Sequence, residues 1–271
     1  MRADILFSGS SGNCTLIRNN NTNILIDCGK SARTISTSLR SLGTELCEID
    51  AIFITHEHTD HTSALGVILS KYHIPVHMTE PSAKKLESER GAMTGLTIHP
   101  VEYSVKVGSL EITSFPLPHD SAAHVGYIIA DEDGDRLGIA TDMGHVTDDA
   151  ISNLSVCRRV IIEANHDVGM LMTGRYPEFL KKRIFSPRGH LPNEDAAALA
   201  CRLASAGVEV FALAHLSEEN NLPSAAYSKV RSALDEAGFA DRQIIVADRR
   251  EPVSLPDGAV PEKNQELLCL K

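Results

Sequence analysis

Residues Ala51 to Leu65 read AIFITHEHTDHTSAL, and the fold turns on this stretch. Ala51 to Thr55 is an apolar run with strand character. Three histidines and an aspartate follow it directly. His56 and His58 are two apart on an extended segment, so their side chains point the same way. Asp60 and His61 fall in the first turn of a following helix, where a carboxylate suits the helix dipole. One strand-to-helix turn can therefore aim four nitrogen and oxygen ligands into one small volume, which marks a metal site. Such ligands suit Zn, Mn or Fe rather than a thiolate-loving metal.

Working outward, single ligands recur at the ends of later apolar runs. His119 sits in FPLPHD, Asp142 ends LGIATD, and His215 ends FALAH before a polar SEENN loop. Loops after successive strands gather at one edge of a sheet, so these three residues join the HEHTDH cluster. Strands are expected at Ala3–Phe7, Ile24–Asp27, Ala51–Thr55, Gly126–Ala130, Leu137–Thr141, Val160–Glu163, Val208–Ala214 and Gln243–Ala247. Helical periodicity covers Ala32–Leu42, Ala64–Tyr72, Pro81–Glu89, Pro177–Arg183, Asn193–Ala206 and Pro223–Ala237. Strands crowd the first third, and helix alternates with strand in the last. That mixture favours an α/β or α+β layered sandwich over a barrel of equal βα units. Residues 1–250 read as one domain, with 251–271 a proline-containing tail, extended or partly disordered.

The chain has 271 residues, is 42% hydrophobic and carries a net charge of −10, which fits a soluble globular protein and argues against one that coats nucleic acid over its whole surface. No apolar run approaches the length of a membrane helix or a secretory signal. Six scattered cysteines without a C-x-x-C pair argue against a disulfide framework or a thiolate zinc knuckle, and most are expected as small buried groups in a reducing cytoplasm.

HEHTDH followed by separate His, Asp and His resembles the metallo-β-lactamase superfamily. The resemblance implies a four-layer αββα sandwich with a dinuclear metal centre between two sheets. His56, His58 and His119 would hold one ion, Asp60, His61 and His215 the other, and Asp142 would bridge them. Asp27, ahead of Cys28-Gly29, resembles the superfamily's early aspartate that supports the ligand loop without binding metal. Two divalent ions, Mn or Zn, would generate a bridging hydroxide at neutral pH.

Three further stretches bear on the substrate. SPRGHLPNED (186–195) leads a Gly-His pair into a helix, with Asn193 as the expected N-cap. It resembles the Gly-His element of superfamily phosphodiesterases, with Pro192 standing where those carry a hydroxyl residue. VIIEANHD (160–167) places Glu163 at a strand end, where it would orient His190. FSGSSGNC (7–14) can present backbone N–H groups to a phosphate. Together with THEHTDH, ATDMG and LAHLSEENN, these stretches resemble the YycJ/WalJ family from about Phe7 to Asn221. Its members are bacterial cytoplasmic metallohydrolases associated with 5′→3′ exonuclease activity on DNA. His124 departs from the family pattern, which carries an acidic residue near that position.

The expectation is a nuclease acting on DNA ends. Asp60 would orient or deprotonate the nucleophile, and His190, held by Glu163, would assist the leaving oxygen. Expected substrate contacts are Ser10, Asn13, His166, Arg188 and Asn193. Lys181, Lys182 and Arg183 form a basic run leading to His190 that could grip phosphates. The intervals from His119 to Asp142 and from Asp142 to His190 are too short for a tRNase Z arm or an inserted β-CASP domain. A cyclic phosphodiesterase or a glyoxalase II-like thioesterase is the alternative activity. A non-catalytic, metal-stabilised regulatory module is the third.

Overall fold

The computed structural model describes residues 1–256. Among them, strands form two seven-stranded sheets. The first contains β1 (Arg2–Phe7), β2 (Cys14–Asn19), β3 (Thr22–Ile26), β4 (Ala51–Phe53), β5 (Val76–Thr79), β6 (Leu96–His99) and β14 (Val253–Ser254), in the order β14-β1-β2-β3-β4-β5-β6. The second contains β7 (Ser104–Val107), β8 (Leu110–Leu117), β9 (His124–Asp131), β10 (Arg136–Ala140), β11 (Arg159–Glu163), β12 (Val210–Ala214) and β13 (Gln243–Val246), in the order β13-β12-β11-β10-β9-β8-β7. Each sheet is antiparallel over its hairpin-connected strands, with β14 also antiparallel to β1, and parallel over β3 to β6 in the first and β10 to β13 in the second.

The helices are α1 (Ala32–Ser41), α2 (Thr59–Thr62), α3 (Leu65–Lys71), α4 (Glu80–Arg90), α5 (Asp148–Leu154), α6 (Val168–Thr173), α7 (Glu178–Ile184), α8 (Asn193–Ser205) and α9 (Pro223–Glu236). None is long and apolar enough to cross a membrane.

Period-two alternation explains the layering, because successive side chains leave a strand on opposite faces. In β3, Ile24 and Ile26 face the opposing sheet and Leu25 faces outward. In β12, Ala212 and Ala214 face inward while Phe211 and Leu213 face outward. The inner faces meet around Phe53, Tyr127, Ile139 and Ile161. α1, α3 and α4 bury Ile35, Leu39, Leu65, Ile68 and Leu86 on the first sheet. α5, α8 and α9 bury Leu154, Leu199, Leu203, Val230 and Leu234 on the second. Each such side chain contributes roughly 1.5–3 kcal/mol on leaving water. Helices thus cover both outer faces, giving the expected αββα sandwich.

β2, β5 to β8 and β14 are additional to the expected strands. β6 and β7 are short edge strands whose exposed, largely polar residues carry little apolar signal. Within the segment expected as a tail, Ile5 pairs with Val253 and Asp4 with Ser254, and Leu255 N–H donates to the Ala3 carbonyl at 2.9 Å. Leu255 is buried between the sheets. The remainder of that tail, with Cys269, lies outside the described residues. Cys14, Cys28 and Cys157 are buried free thiols, and Cys47 is exposed.

Candidate metal centre

The sequence places its candidate ligands just after the carboxyl ends of strands, where open α/β sheets hold their ligands. Asp27 follows β3, His56 follows β4, His119 follows β8, Asp142 follows β10 and His215 follows β12, while Glu163 is the last residue of β11. Asp27, Asp142 and His215 have φ of 63°, 56° and 55°. L-residues with side chains rarely adopt this left-handed conformation, which costs roughly 1–2 kcal/mol each. Three such residues at one site turn the chain sharply off a buried strand, bringing the Asp142 and His215 side chains into the cluster and Asp27 against His61 and Thr55. Gly29 permits the next packing step: a Cβ there would lie 1.6 Å from the Asp60 carbonyl oxygen. That carbonyl accepts from Asn13 N–H at 2.8 Å, and the His61 carbonyl from Cys28 N–H at 2.9 Å.

Nitrogen and oxygen atoms of His56, His58 and His119 gather within 4.8 Å of one another, as do those of Asp60, His61 and His215. Asp142 lies between the groups, clustering with His56 and His61 on one side and with Glu163, His190 and His215 on the other. Its Oδ2 is 3.2 Å from His61 Nε2 and its Oδ1 is 3.4 Å from His215 Nε2.

The outer hydrogen bonds determine which ring nitrogens face the cluster. His119 Nδ1 donates to the Gly189 carbonyl at 3.1 Å, His61 Nδ1 to Asp27 Oδ2 at 2.8 Å and His215 Nδ1 to Glu163 Oε1 at 3.0 Å. Thr55 Oγ1 gives its hydrogen to Asp27 and so accepts from His56 Nδ1 at 3.0 Å. With Nδ1 committed outward in all four rings, it is Nε2 that faces the cluster, the nitrogen a metal takes as ligand once any proton on it has left.

The donor set fits divalent cations. His215 Nε2 and Asp142 Oδ2 are buried and have no hydrogen-bond partner, a costly state that a cation between them would relieve. Burial resists ionisation of Asp60 and Asp142. His61 and His215 outweigh it and hold both carboxyls well below the usual range. Burial likewise opposes protonation of His215, yet Asp142, Asp60 and Glu163 push it up to about 10. Excess negative charge thus draws cations to this cleft, protons included.

Beside the cluster, His190 Nδ1 donates to Glu163 Oε1 at 2.8 Å. Burial is the largest single influence on the His190 pKa and lowers it, but the charge and hydrogen bond of Glu163, with Asp142, together shift it upward. Glu163 is fully buried, and its Oε2 accepts from Met143 N–H at 2.8 Å and Leu191 N–H at 3.1 Å. The sequence pointed to His190 as the partner of Glu163, and the structure adds His215. His124 Nε2 donates to the Thr141 carbonyl at 2.6 Å, one residue before Asp142.

The expected substrate contacts divide. Ser10 is exposed at the Gly/Ser loop. Asn13 is buried, accepts from Gly9 N–H at 2.8 Å and places its Nδ2 3.0 Å from His61 Nε2, which ties that loop to the centre. Arg188 is exposed and donates through Nε to the His119 carbonyl at 2.8 Å. His166 is buried with Nε2 unpartnered. Asn193 is not the N-cap of α8. Pro192 holds that place, and the buried Asn193 amide exchanges two 2.9 Å hydrogen bonds with Asn221. Lys181 differs from the exposed grip expected of the basic run. It is buried and donates to the Met172 carbonyl at 2.8 Å, while Arg183 pairs with Asp120.

Sequence reading passed over Glu57, whose Oε1 accepts from Ala122 N–H at 2.8 Å and so ties the HEHTDH loop to the loop of His119. A carboxylate inside a ligand motif was the available signal. Asn165 and Asn221 were also passed over. They bind the carbonyls of His215 and Ala164 at 2.8 and 2.9 Å, so EANHD and SEENN knit the site's loops together.

The sequence matches the beta-lactamase superfamily domain over residues 22–216. It is 33% identical over 239 residues to a Bacillus anthracis protein named exodeoxyribonuclease YycJ, covering 87% of this chain and 89% of that one. It is 33% identical over 261 residues to Streptococcus pneumoniae exodeoxyribonuclease WalJ, covering 95% of each. Among solved structures, the metallo-β-lactamase fold protein YhfI from Bacillus subtilis superposes with a TM-score of 0.68 at 14% identity, over 94% of this chain and 98% of that one, a likeness of fold.

Proposed function

Because the chain belongs to the YycJ/WalJ family of the metallo-β-lactamase superfamily, we propose that it is a dinuclear exonuclease that hydrolyses DNA from its 5′ ends. It is a metal-dependent hydrolase, and the relatives named as exodeoxyribonucleases support a nucleic-acid substrate. Bound at the two clusters, divalent ions, Mn or Zn, would supply Lewis acidity and a nucleophile at neutral pH. His56, His58 and His119 would hold one ion, Asp60, His61 and His215 the other, with Asp142 between.

The observation that carries the reading is the His190–Glu163 pair. His190 stands beside Asp142 with its Nδ1 hydrogen committed to a buried carboxylate. A protonated imidazole so held can donate from Nε2 to the leaving oxygen of a phosphodiester. Glu163 orients the ring and favours its charged form. Asp60 takes or directs the proton of the attacking water. Free thiols at Cys14, Cys28, Cys47, Cys157 and Cys201 support a cytoplasmic setting.

The test compares hydrolysis of DNA ends, a cyclic nucleotide and a thioester by metal-loaded protein. DNA should be the preferred substrate, Asp60→Ala should be inactive, and His190→Ala should be strongly slowed with its metal retained. Activity confined to small esters would overturn the nuclease reading, and metal loss in His190→Ala would contradict the role given to that residue.

A further inference from the structure

The sheet edge that carries the metal ligands carries cations as well. β13 runs parallel to β12, so the residues after Val246 emerge at the same edge as His215. They read Ala247-Asp248-Arg249-Arg250. On the facing sheet, Lys30 follows Asp27 and Gly29 off the end of β3. β2 starts where β3 ends, so the turn that joins β1 to β2 meets Lys30 there. Gly12 N–H closes that turn on the Gly9 carbonyl at 2.9 Å.

Two long basic side chains flank the turn. Lys30 Nζ donates to Ser11 Oγ at 2.8 Å and stands 5.9 Å from the centre of the Phe7 ring. Its stem crosses Gly12, where a Cβ would meet Lys30 Cδ at 2.7 Å. Arg249 crosses Gly9, with its Cγ 3.8 Å from where a Cβ would stand, and donates through Nη2 to the Ser217 carbonyl at 2.7 Å. Arg250 is the third cation. Burial lowers the Lys30 pKa, the Arg250 charge lowers it further, and Glu218 opposes both. The turn is fixed to the candidate centre through Ser8 Oγ, which accepts from His215 N–H at 2.7 Å, and through Asn13 beside His61.

Lys30 and Arg249 are half-buried and Arg250 is exposed. Among the described residues none of the three forms an ion pair. Asp248, next to Arg249, spends Oδ1 on the Arg250 and Glu251 N–H groups at 2.7 and 2.9 Å. Like charges so grouped repel, and an anion between them relieves the repulsion. On a chain of net charge −10 such a cluster is a local exception. Lysine, arginine and serine hydroxyls are the groups that bind phosphate oxygens, and such contacts position a strand without reading its sequence. We propose that Lys30, Arg249 and Arg250 form a clamp around the Gly9–Gly12 turn that holds a backbone phosphate of the DNA strand flanking the bond to be cut. This rests on the nuclease reading above and adds to it the side of the cleft along which the strand runs. Paired and unpaired strands carry the same phosphates, so the clamp grips either.

The test measures initial hydrolysis of a 5′-labelled duplex by metal-loaded protein over a range of salt. Wild type is compared with Lys30→Gln/Arg250→Gln and with the charge-conserving Lys30→Arg/Arg250→Lys. The glutamine variant should flatten the slope of log KM against log salt by about 1 per cation removed. At physiological salt that slope corresponds to a KM raised roughly fivefold per cation, with kcat little changed. The charge-conserving variant should keep the wild-type slope. A methylphosphonate, which is uncharged, is then moved through the linkages nearest the 5′ end. One position should raise KM for the wild type, and the same position should raise it no further in the glutamine variant. A wild-type salt slope in the glutamine variant would overturn the clamp. So would methylphosphonate penalties equal in the two proteins at every position, or a flattened slope in the charge-conserving variant. If the wild type hydrolyses no DNA at all, the nuclease reading itself fails and the clamp with it; if it does and the variants match it, the clamp alone fails.

Discussion

Replacing Glu163 with glutamine removes one charge and almost no volume. The two buried oxygens of Glu163 accept four hydrogens: His190 Nδ1 and His215 Nδ1 at Oε1, Met143 and Leu191 N–H at Oε2. Glutamine offers one acceptor oxygen, and its NH₂ group must face the other pair of donors. Backbone N–H groups cannot change, but an imidazole can move its proton. The amide oxygen therefore goes to the backbone, and NH₂ faces the two Nδ1 atoms. His190 and His215 must then shift their proton to Nε2 or leave two donors opposed. Each unsatisfied buried donor costs about 1–3 kcal/mol, so the metal-free variant should lose about 2–6 kcal/mol if both donors stay opposed, and less if the tautomers shift. A His215 protonated on Nε2 is a poor ligand, and metal affinity should fall roughly 10–100-fold, as for other lost ligand supports. At saturating metal the rate on DNA should still fall about 10²–10⁴-fold, the range for a general acid. Urea unfolding, chelator competition and initial rates measure the three effects. Wild-type stability and metal affinity in Glu163→Gln would refute this reading of the hydrogen-bond network.

Three other perturbations test separate parts of the fold. In Gly29→Ala the new Cβ would collide with the Asp60 carbonyl at 1.6 Å, so the ligand loop must shift and metal content, measured by atomic emission, should drop sharply. Leu255→Ala empties a buried position between the sheets and should cost about 2–5 kcal/mol in denaturant unfolding, with activity per folded molecule retained. Burial, with His99 beside it, pushes His77 down to about 4, so the folded state keeps this imidazole neutral where the unfolded chain binds a proton. Its contribution is complete above the ordinary imidazole range and is lost as pH falls from there to about 4. His77→Phe keeps a ring to stack on Phe53, now 4.5 Å away, and should gain stability relative to wild type across that window; parallel pH profiles would contradict the assignment.

The candidate centre was legible because its expected ligands follow apolar strands, and burial on both faces makes those strands conspicuous. HEHTDH, His119, Asp142 and His215 declare themselves by residue type at such ends. What escaped was carried by weaker signals. β6 and β7 are exposed edge strands, and β14 is a two-residue pairing in a proline-bearing segment whose role depends on distant β1. Asn193 has the composition of an N-cap, yet its amide is committed to Asn221, 28 residues away, a partnership that local propensity does not encode. Lys181 reads as one cation among three, but helix phase alone turns it inward while Lys182 stays out. The same phase puts Phe179 and Phe185 in water, against what their residue type suggests.

The most direct test of a two-ion centre acting on phosphodiesters is a titration. Metal-stripped protein receives increasing equivalents of Mn or Zn while hydrolysis of 5′-end-labelled DNA is followed, with Asp60→Ala alongside. A dinuclear site built from these two clusters requires activity that rises to saturation at two ions per chain and stays flat in the variant. Full activity without added metal, or saturation at a single ion, would contradict it.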